Sequence, residues 1–159
     1  MNKIVEEDIK RLIKELRKKN CTIKEFPHKI NWDTLAHYHK LSKDFMREFK
    51  DKIDWSDVAR YQKLDENFIR EFIYYFDIWE PMGSWMFLSL YQTLSEDFIR
   101  TFKNSVDWTY IFESQTLSED FKIELKPHIS RWFLNFTRIS NPVERSQYFL
   151  KTFKMRLEE

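Results

Sequence analysis

Hydrophobic residues recur along the middle of the chain at a spacing of 23 residues, and a tryptophan marks each copy. The tryptophans are Trp32, Trp55, Trp85 and Trp108. Nine positions after each stands a leucine and thirteen after it a phenylalanine, namely Leu41, Leu64, Leu94 and Leu117 with Phe45, Phe68, Phe98 and Phe121. Self-similarity at a fixed period of this length predicts a tandem repeat in which every copy is one small structural unit.

Polar residues divide each copy into two short helices. Side chains suited to capping a helix N-terminus precede each tryptophan: Asn31, Asp54, Ser84 and Asp107. A second set precedes the phenylalanines: Ser42, Asp65, Ser95 and Ser118. Because such side chains satisfy free amides of the first helical turn, each copy is predicted to be a helical hairpin. The third copy follows an insertion of seven residues within 76–84, which contains Pro81 and Gly83.

The apolar stripe of the second helix needs a neighbour. In the first copy it consists of Phe45, Met46 and Phe49, and it recurs in the next two copies. Stacking of consecutive hairpins would cover it, which predicts an all-α fold of two-helix repeats arranged as a short α-solenoid. Dissimilar helices are expected to cap both ends, an amphipathic one over residues 3–19 and another that begins after Asn141 and Pro142.

The predicted organisation is one domain covering residues 1–159. Its parts are an N-terminal capping helix with a connector (1–29), four two-helix repeats followed by a degenerate fifth (30–134), and a C-terminal helix (141–159). The degenerate copy is placed at Ile129 to Phe133.

Composition supports helices and argues against several classes of protein. Aromatic residues make up 18% of the chain and there is a single glycine, which disfavours folds rich in tight turns. No apolar run approaches the roughly 18 residues of a membrane span. The N-terminus does not resemble a cleaved signal. The lone Cys21 has no cysteine with which to form an internal disulfide. A soluble cytoplasmic protein without membrane contact is therefore expected.

We find no constellation that predicts catalysis, a metal site or a bound cofactor. His37 and His39 stand two positions apart on a predicted helix and so point to different faces, whereas helical zinc pairs prefer a spacing of four. The acidic residues recur with the repeat and are explained as caps and partners of the helix dipole. One glycine is too few for a phosphate-binding loop. The sequence predicts a protein that is not an enzyme.

Residues 106–121 read Asp-Trp, then Gln, then Leu-Ser-Glu-Asp-Phe, and residues 53–68 and 83–98 are their counterparts. This pattern resembles a short tandem helical repeat of poorly characterised bacteriophage and giant-virus proteins, over residues 30 to about 134. His39 in place of Gln and Ser84 in place of Asp depart from it. The resemblance implies a viral origin and a binding role, with a host-defence protein such as a CRISPR effector as one class of partner, and it transfers no catalytic residue.

The predicted partner-binding residues are those that stacking would align on one surface. Arg47, Arg70 and Arg100 occupy equivalent positions and form an arginine ladder, and Tyr61 and Tyr91 are aromatic residues expected to be exposed. A second interpretation, which we favour for the ladder, is a solvated face paired with neighbouring acids such as Glu48 and Glu71. The recurrent Gln62, Gln92 and Gln115 are expected to bond carbonyls at helix ends.

Charge distribution leaves nucleic-acid binding as the alternative function. Residues 25–121 carry 11 Lys/Arg against 18 Asp/Glu, whereas 1–24 and 122–159 each carry 8 against 4. The basic residues considered for phosphate contact are Lys10, Arg11, Lys14, Arg17, Lys18, Lys19, Arg131, Arg138 and Arg145. The net charge of only +1 argues against this role, and the acidic middle permits the converse idea of nucleic-acid mimicry.

Overall fold

The computed structural model describes residues 2–78 and 81–126, and within these ranges the chain is all-helical, without a strand. The helices are α1 (Lys3–Glu15), α2 (Phe26–Lys29), α3 (Leu35–Tyr38), α4 (Lys43–Glu48), α5 (Trp55–Tyr61), α6 (Glu66–Glu71), α7 (Ile73–Ile78), α8 (Pro81–Tyr91), α9 (Glu96–Thr101), α10 (Trp108–Ser114) and α11 (residues 119–126). The all-α prediction is therefore confirmed for this part of the chain. The predicted fifth copy and C-terminal helix lie outside the described residues.

The second helix of each copy begins where the sequence places it. In all four copies the capping side chain accepts a hydrogen bond from the N–H of the phenylalanine three residues later, at 2.9 to 3.3 Å. The four acceptors are Ser42, Asp65, Ser95 and Ser118. These predictions are confirmed because a cap involves only neighbouring residues and so depends little on the rest of the fold.

The first helices follow the prediction in two copies and depart from it in two. Asp54 and Asp107 cap α5 and α10 as expected. Asn31 accepts from Asp33 N at 3.0 Å, but α3 starts only at Leu35.

The predicted cap at Ser84 is wrong. Helix α8 begins at Pro81, four residues before the predicted first helical residue Trp85. A proline suits the first helical position because its missing N–H costs nothing there. Ser84 is instead fully buried within the helix, and its Oγ lies 3.2 Å from Ser56 Oγ.

The N-terminal helix is shorter than predicted. It ends at Glu15 instead of position 19, and Arg17 then adopts a positive φ of 51°. The N–H of Arg17 bonds to Lys14 O and that of Lys18 to Ile13 O, which is the Schellman pattern that terminates helices. Of the predicted apolar face, Val5, Ile9 and Leu12 are buried, while Ile13 and Leu16 are partly exposed.

A capping box that was not predicted from the sequence lies between α1 and α2. Thr22 N donates to Glu25 Oε2 at 3.0 Å, and Glu25 N donates to Thr22 Oγ1 at 3.3 Å. These reciprocal bonds satisfy two amides where the connector turns into α2.

The repeated tryptophans form much of the core. Trp55 and Trp108 are fully buried and Trp85 nearly so. In three copies the indole N–H donates to the carbonyl five residues upstream: Trp32 to Pro27, Trp55 to Lys50 and Trp108 to Lys103, at 2.8 to 3.2 Å. In the third copy Trp85 donates to the Asp77 carboxylate at 2.7 Å.

The chain divides into two compact units, one ending at Gln92 and the other beginning at Thr93. In the first unit α3 packs against α5 and α5 against α8, so that the first helices of consecutive copies are neighbours. Helix α1 packs against α4, and α7 packs against α5 and α8. The second unit contains α9, α10 and α11. The single domain expected over residues 1–159 stays a prediction.

Candidate functional site

The recurrent glutamines join each copy to the one before it. Gln62 is buried; its Nε2 donates to the carbonyls of Ala36 and His39, and its Oε1 accepts from Leu41 N at 2.9 Å. The three partners lie at the end of α3 and just after it, in the preceding copy. The predicted bonding of helix-end carbonyls is therefore confirmed for Gln62, with carbonyls that belong to the neighbouring copy.

Gln92 repeats this geometry one copy later. Its Nε2 donates to Ala59 O at 2.7 Å and to Gln62 O at 2.8 Å, and its Oε1 accepts from Leu64 N at 2.9 Å. In the second unit, Gln115 Oε1 accepts from Leu94 N at 3.0 Å. These amides are explained by folding, so they are not candidates for ligand recognition.

No copy precedes the first one, and its polar groups at the corresponding positions contact α1 instead. His39 stands where the other copies have glutamine, and its Nδ1 lies 2.8 Å from Glu15 Oε2. Asp8 accepts from Ser42 N at 3.2 Å, and the Arg11 guanidinium donates to Lys40 O. Helix α1 thus satisfies polar groups at the edge of the first copy, as expected of a cap.

Two members of the predicted arginine ladder form ion pairs between copies. In the first unit, Arg47 makes a bidentate contact with Glu71 through Nε and Nη2, both at 2.8 Å. In the second unit, Arg100 does the same with Glu124 at 2.8 and 2.9 Å. The guanidinium bonds lower the pKa of Glu71 and of Glu124 below the ordinary glutamate value.

The same arginines also lie over aromatic rings. Arg47 lies 5.3 Å from the centre of the Phe68 ring, and Arg100 lies 5.0 Å from that of Phe121. Each ring belongs to the same copy as the paired glutamate, so both contacts stabilise the packing of neighbouring copies. Arg70 is exposed on α6. The proposed binding role of the ladder stays a prediction.

A row of exposed tyrosines runs along the first unit. Tyr38, Tyr61 and Tyr91 stand six positions after their tryptophans, at the ends of α3, α5 and α8. Their exposed fractions are 71%, 37% and 49%. The exposure expected for Tyr61 and Tyr91 is confirmed. Tyr38 was not among the predicted residues, although its repeat position could have identified it.

Two further side chains fill the spaces between these rings. The His37 ring stacks between those of Tyr38 and Tyr61, with centroid separations of 4.2 and 3.9 Å. The Arg60 guanidinium lies 5.0 Å from the centre of the Tyr61 ring and 5.8 Å from that of Tyr91. We call these five residues the tyrosine row. The sequence did not predict His37 or Arg60 as surface contacts, because neither residue type recurs at its repeat position.

A cleft of about 340 Å³ opens beside this row, between the ends of α3 and α5. Its lining is His37, Tyr38, His39, Lys40, Leu41, Tyr61, Gln62 and Lys63, which includes no acidic residue. Among the described residues, neither Lys40 nor Lys63 has an acidic side chain in ion-pair contact, and both are exposed.

An acid does lie near one end of the row, outside the cleft lining. Asp57 Oδ2 is 3.9 Å from His37 Nδ1. Partial burial, together with the neighbouring Asp54 carboxylate, raises the pKa of Asp57. The tyrosine row therefore combines aromatic rings with the Arg60 guanidinium, and the Asp57 carboxylate lies beside it.

The part of the chain that the structure describes contains neither a cluster of metal ligands nor a membrane-spanning helix. Within residues 2–78 and 81–126, no group of three His, Cys, Asp or Glu side chains is placed to hold a metal ion. No helix in these ranges has both the length and the apolar character needed to cross a bilayer. Cys21 is a free, half-buried thiol.

The basic ends are only partly visible. Lys10, Lys14, Arg17, Lys18 and Lys19 are exposed, whereas Arg11 pairs with Asp8 and Glu15. The other basic residues considered for phosphate contact, Arg131, Arg138 and Arg145, lie outside the described residues.

No protein family, curated protein or solved structure matches the chain.

Proposed function

We propose that this chain is a non-enzymatic protein-binding repeat module, and that the tyrosine row is its contact surface. The observation that carries the proposal is the exposure of three tyrosines at one repeat position, 37% to 71%, in a chain whose other repeated aromatic residues are mostly buried. Tyrosine is enriched at protein interfaces because its ring supplies a large apolar face and its hydroxyl a hydrogen bond, at little cost in side-chain entropy.

Three regular contacts support a short α-solenoid as the architecture that presents this row. First helices of consecutive copies are neighbours in the first unit. The glutamine bonds recur in the second, third and fourth copies. The bidentate pairs formed by Arg47 and Arg100 both join residues 24 positions apart. Each contact links one copy to the next, as in stacked repeats with dissimilar helices at the two ends.

The resemblance to bacteriophage and giant-virus repeats supports a viral setting for this role. In that setting the partner is a host protein. The proposed function is to inhibit a host-defence protein, such as a CRISPR effector, in the cytoplasm of the infected cell. Binding alone suffices for such inhibition, so it requires no catalytic residue.

The test compares the tagged chain with two variants in quantitative co-purification from host lysate. The triple variant Tyr38→Ala, Tyr61→Ala and Tyr91→Ala removes the exposed rings, and Tyr74→Ala removes a tyrosine that is 65% exposed elsewhere on α7. We expect a stoichiometric partner that the parent and the Tyr74 variant retain and the triple variant loses. A partner lost equally from both variants, or from neither, would refute the tyrosine row as the contact surface.

A further variant separates the row from the arginine ladder. Arg70→Glu reverses an exposed charge on α6 and replaces no residue of the Arg47–Glu71 and Arg100–Glu124 pairs. If the partner is lost from this variant and kept by the tyrosine triple variant, the ladder is the contact surface and the row is not.

Nucleic-acid binding is the second candidate, favoured by the exposed lysines of residues 10–19. An electrophoretic shift titrated with salt tests it, because phosphate contacts weaken steeply as salt concentration rises. Absence of a shift at low ionic strength would exclude nucleic-acid binding. The opposite hypothesis, that the acidic residues 25–121 mimic a nucleic acid, would then still be open to test.

A further inference from the structure

The lining of the cleft beside the tyrosine row contains basic residues and no acidic one. Its lysines are Lys40 and Lys63. Several cations of the described residues contact acids, as the pairs of Lys29 with Glu25 and Lys43 with Asp65 illustrate. The two cleft lysines have no such partner within residues 2–78 and 81–126.

Folding does not account for these two lysines. Both stand eight positions after a tryptophan, between the glutamine position and the leucine, and the third and fourth copies have Thr93 and Thr116 there. The repeat therefore tolerates a neutral side chain at this position. Lysine occurs only in the two copies whose first helices border the cleft.

The aromatic wall of the cleft adds a second kind of contact. Tyr38, His37 and Tyr61 form a stack of rings that lines the cleft together with the two lysines. An acidic side chain followed by an apolar one would meet both: the carboxylate lies near the ammonium groups and the apolar side chain lies on the rings.

Resting on the proposed function, we infer that this cleft binds an acidic segment of the partner protein, with Lys40 and Lys63 contacting its carboxylates. A nucleic acid would need a line of cations along its phosphates, whereas the cleft lining offers two lysines. A peptide with a few neighbouring carboxylates matches two such cations.

The experiment uses the full chain and fluorescence anisotropy. The probe is a fluorescein-labelled peptide in which glutamate alternates with leucine; the comparison probes are the same peptide with glutamine for glutamate and an oligothymidylate of equal charge. We expect the acidic peptide to bind, the glutamine peptide to bind at least about tenfold more weakly, and affinity to fall with salt.

Two matched double variants locate the site. Lys40→Glu with Lys63→Glu should weaken binding of the acidic peptide at least about tenfold, because attraction becomes repulsion. Lys24→Glu with Lys52→Glu changes the net charge equally at exposed positions outside the cleft and should leave binding unchanged. Circular dichroism of all variants verifies that they are folded.

Several results would overturn the inference. They are equal weakening by both double variants, tighter binding of the oligothymidylate, or no binding of the acidic peptide by the folded parent chain. If the peptide fails while the tyrosine-dependent partner is still recovered, the inference is wrong and the proposed function stands. If that partner is also absent, both fail.

Discussion

Replacement of Gln92 by methionine measures how much the glutamine bonds stabilise the junction between copies. Gln92 is 6% exposed, and its side chain makes three hydrogen bonds to backbone groups of the preceding copy. Methionine is of similar length and flexible, so it fills the same space and leaves no large cavity. The substitution Gln92→Met therefore removes the hydrogen bonds with little change in packing.

The expected loss follows from those bonds. Their lengths, 2.7, 2.8 and 2.9 Å, are those of well-formed bonds. Each contributes about 1 kcal/mol net, and a buried backbone group left without a partner costs about 1 to 3 kcal/mol. We therefore expect the free energy of unfolding to fall by about 3 kcal/mol, which is a large part of the roughly 5 to 15 kcal/mol of a typical domain.

Urea unfolding followed by both circular dichroism and tryptophan fluorescence provides the measurement, since agreement of the two probes justifies a two-state analysis. The control is Asn67→Met, which makes the corresponding amide-to-methionine change at an exposed position on α6 and should alter the free energy of unfolding by less than about 0.5 kcal/mol. A loss of less than about 1 kcal/mol for Gln92→Met would refute the reasoning, because it would mean that the backbone groups find other partners.

Three further predictions concern charge and backbone conformation. The pKa of Glu71 is lowered, so its pair with arginine stabilises the fold above the ordinary glutamate pKa of about 4.3 and loses that effect as pH falls through the lowered value. Glu71→Gln should therefore show a smaller acid-side fall in urea midpoint than the parent, and parallel profiles would contradict this. Arg17→Gly should raise the free energy of unfolding by about 0.5 to 1 kcal/mol, because glycine adopts positive φ without strain; a lowered thermal midpoint would contradict it. The Thr22 backbone N–H, with Lys29 and the Thr22 hydroxyl, lowers the pKa of Glu25 to about 2. NMR titration of the carboxyl carbon should find this value in the parent and a higher one in Lys29→Met, and an unchanged value would exclude the lysine contact.

Local chemistry was readable from the sequence by itself. The caps at Ser42, Asp65, Ser95 and Ser118 involve a side chain and an amide three residues away, so no distant part of the chain is needed to form them. The all-helical class followed from the same signals together with the scarcity of glycine. The predicted cap at Ser84 was wrong because it was based on the position of Trp85 alone, whereas Pro81 begins the helix earlier.

The extent of the first helix shows a second limit of local patterns. The apolar periodicity continues to Leu16 and the basic run to Lys19, but the helix ends at Glu15 through the positive φ of Arg17. A non-glycine residue in that conformation carries no sequence signal, because its conformational cost is met by the contacts of the folded chain.

Contacts between copies were decided only by the tertiary structure. The sequence determined that glutamine, arginine and tyrosine recur at fixed repeat positions, but not that Gln92 reaches the carbonyls of Ala59 and Gln62 or that Arg47 pairs with Glu71, 24 positions on. The same holds for the cleft that brings Lys40 and Lys63 beside stacked rings. A repeat fixes what each copy presents, whereas the offset and rotation from one copy to the next depend on how the buried faces pack, and that geometry decides which side chains meet.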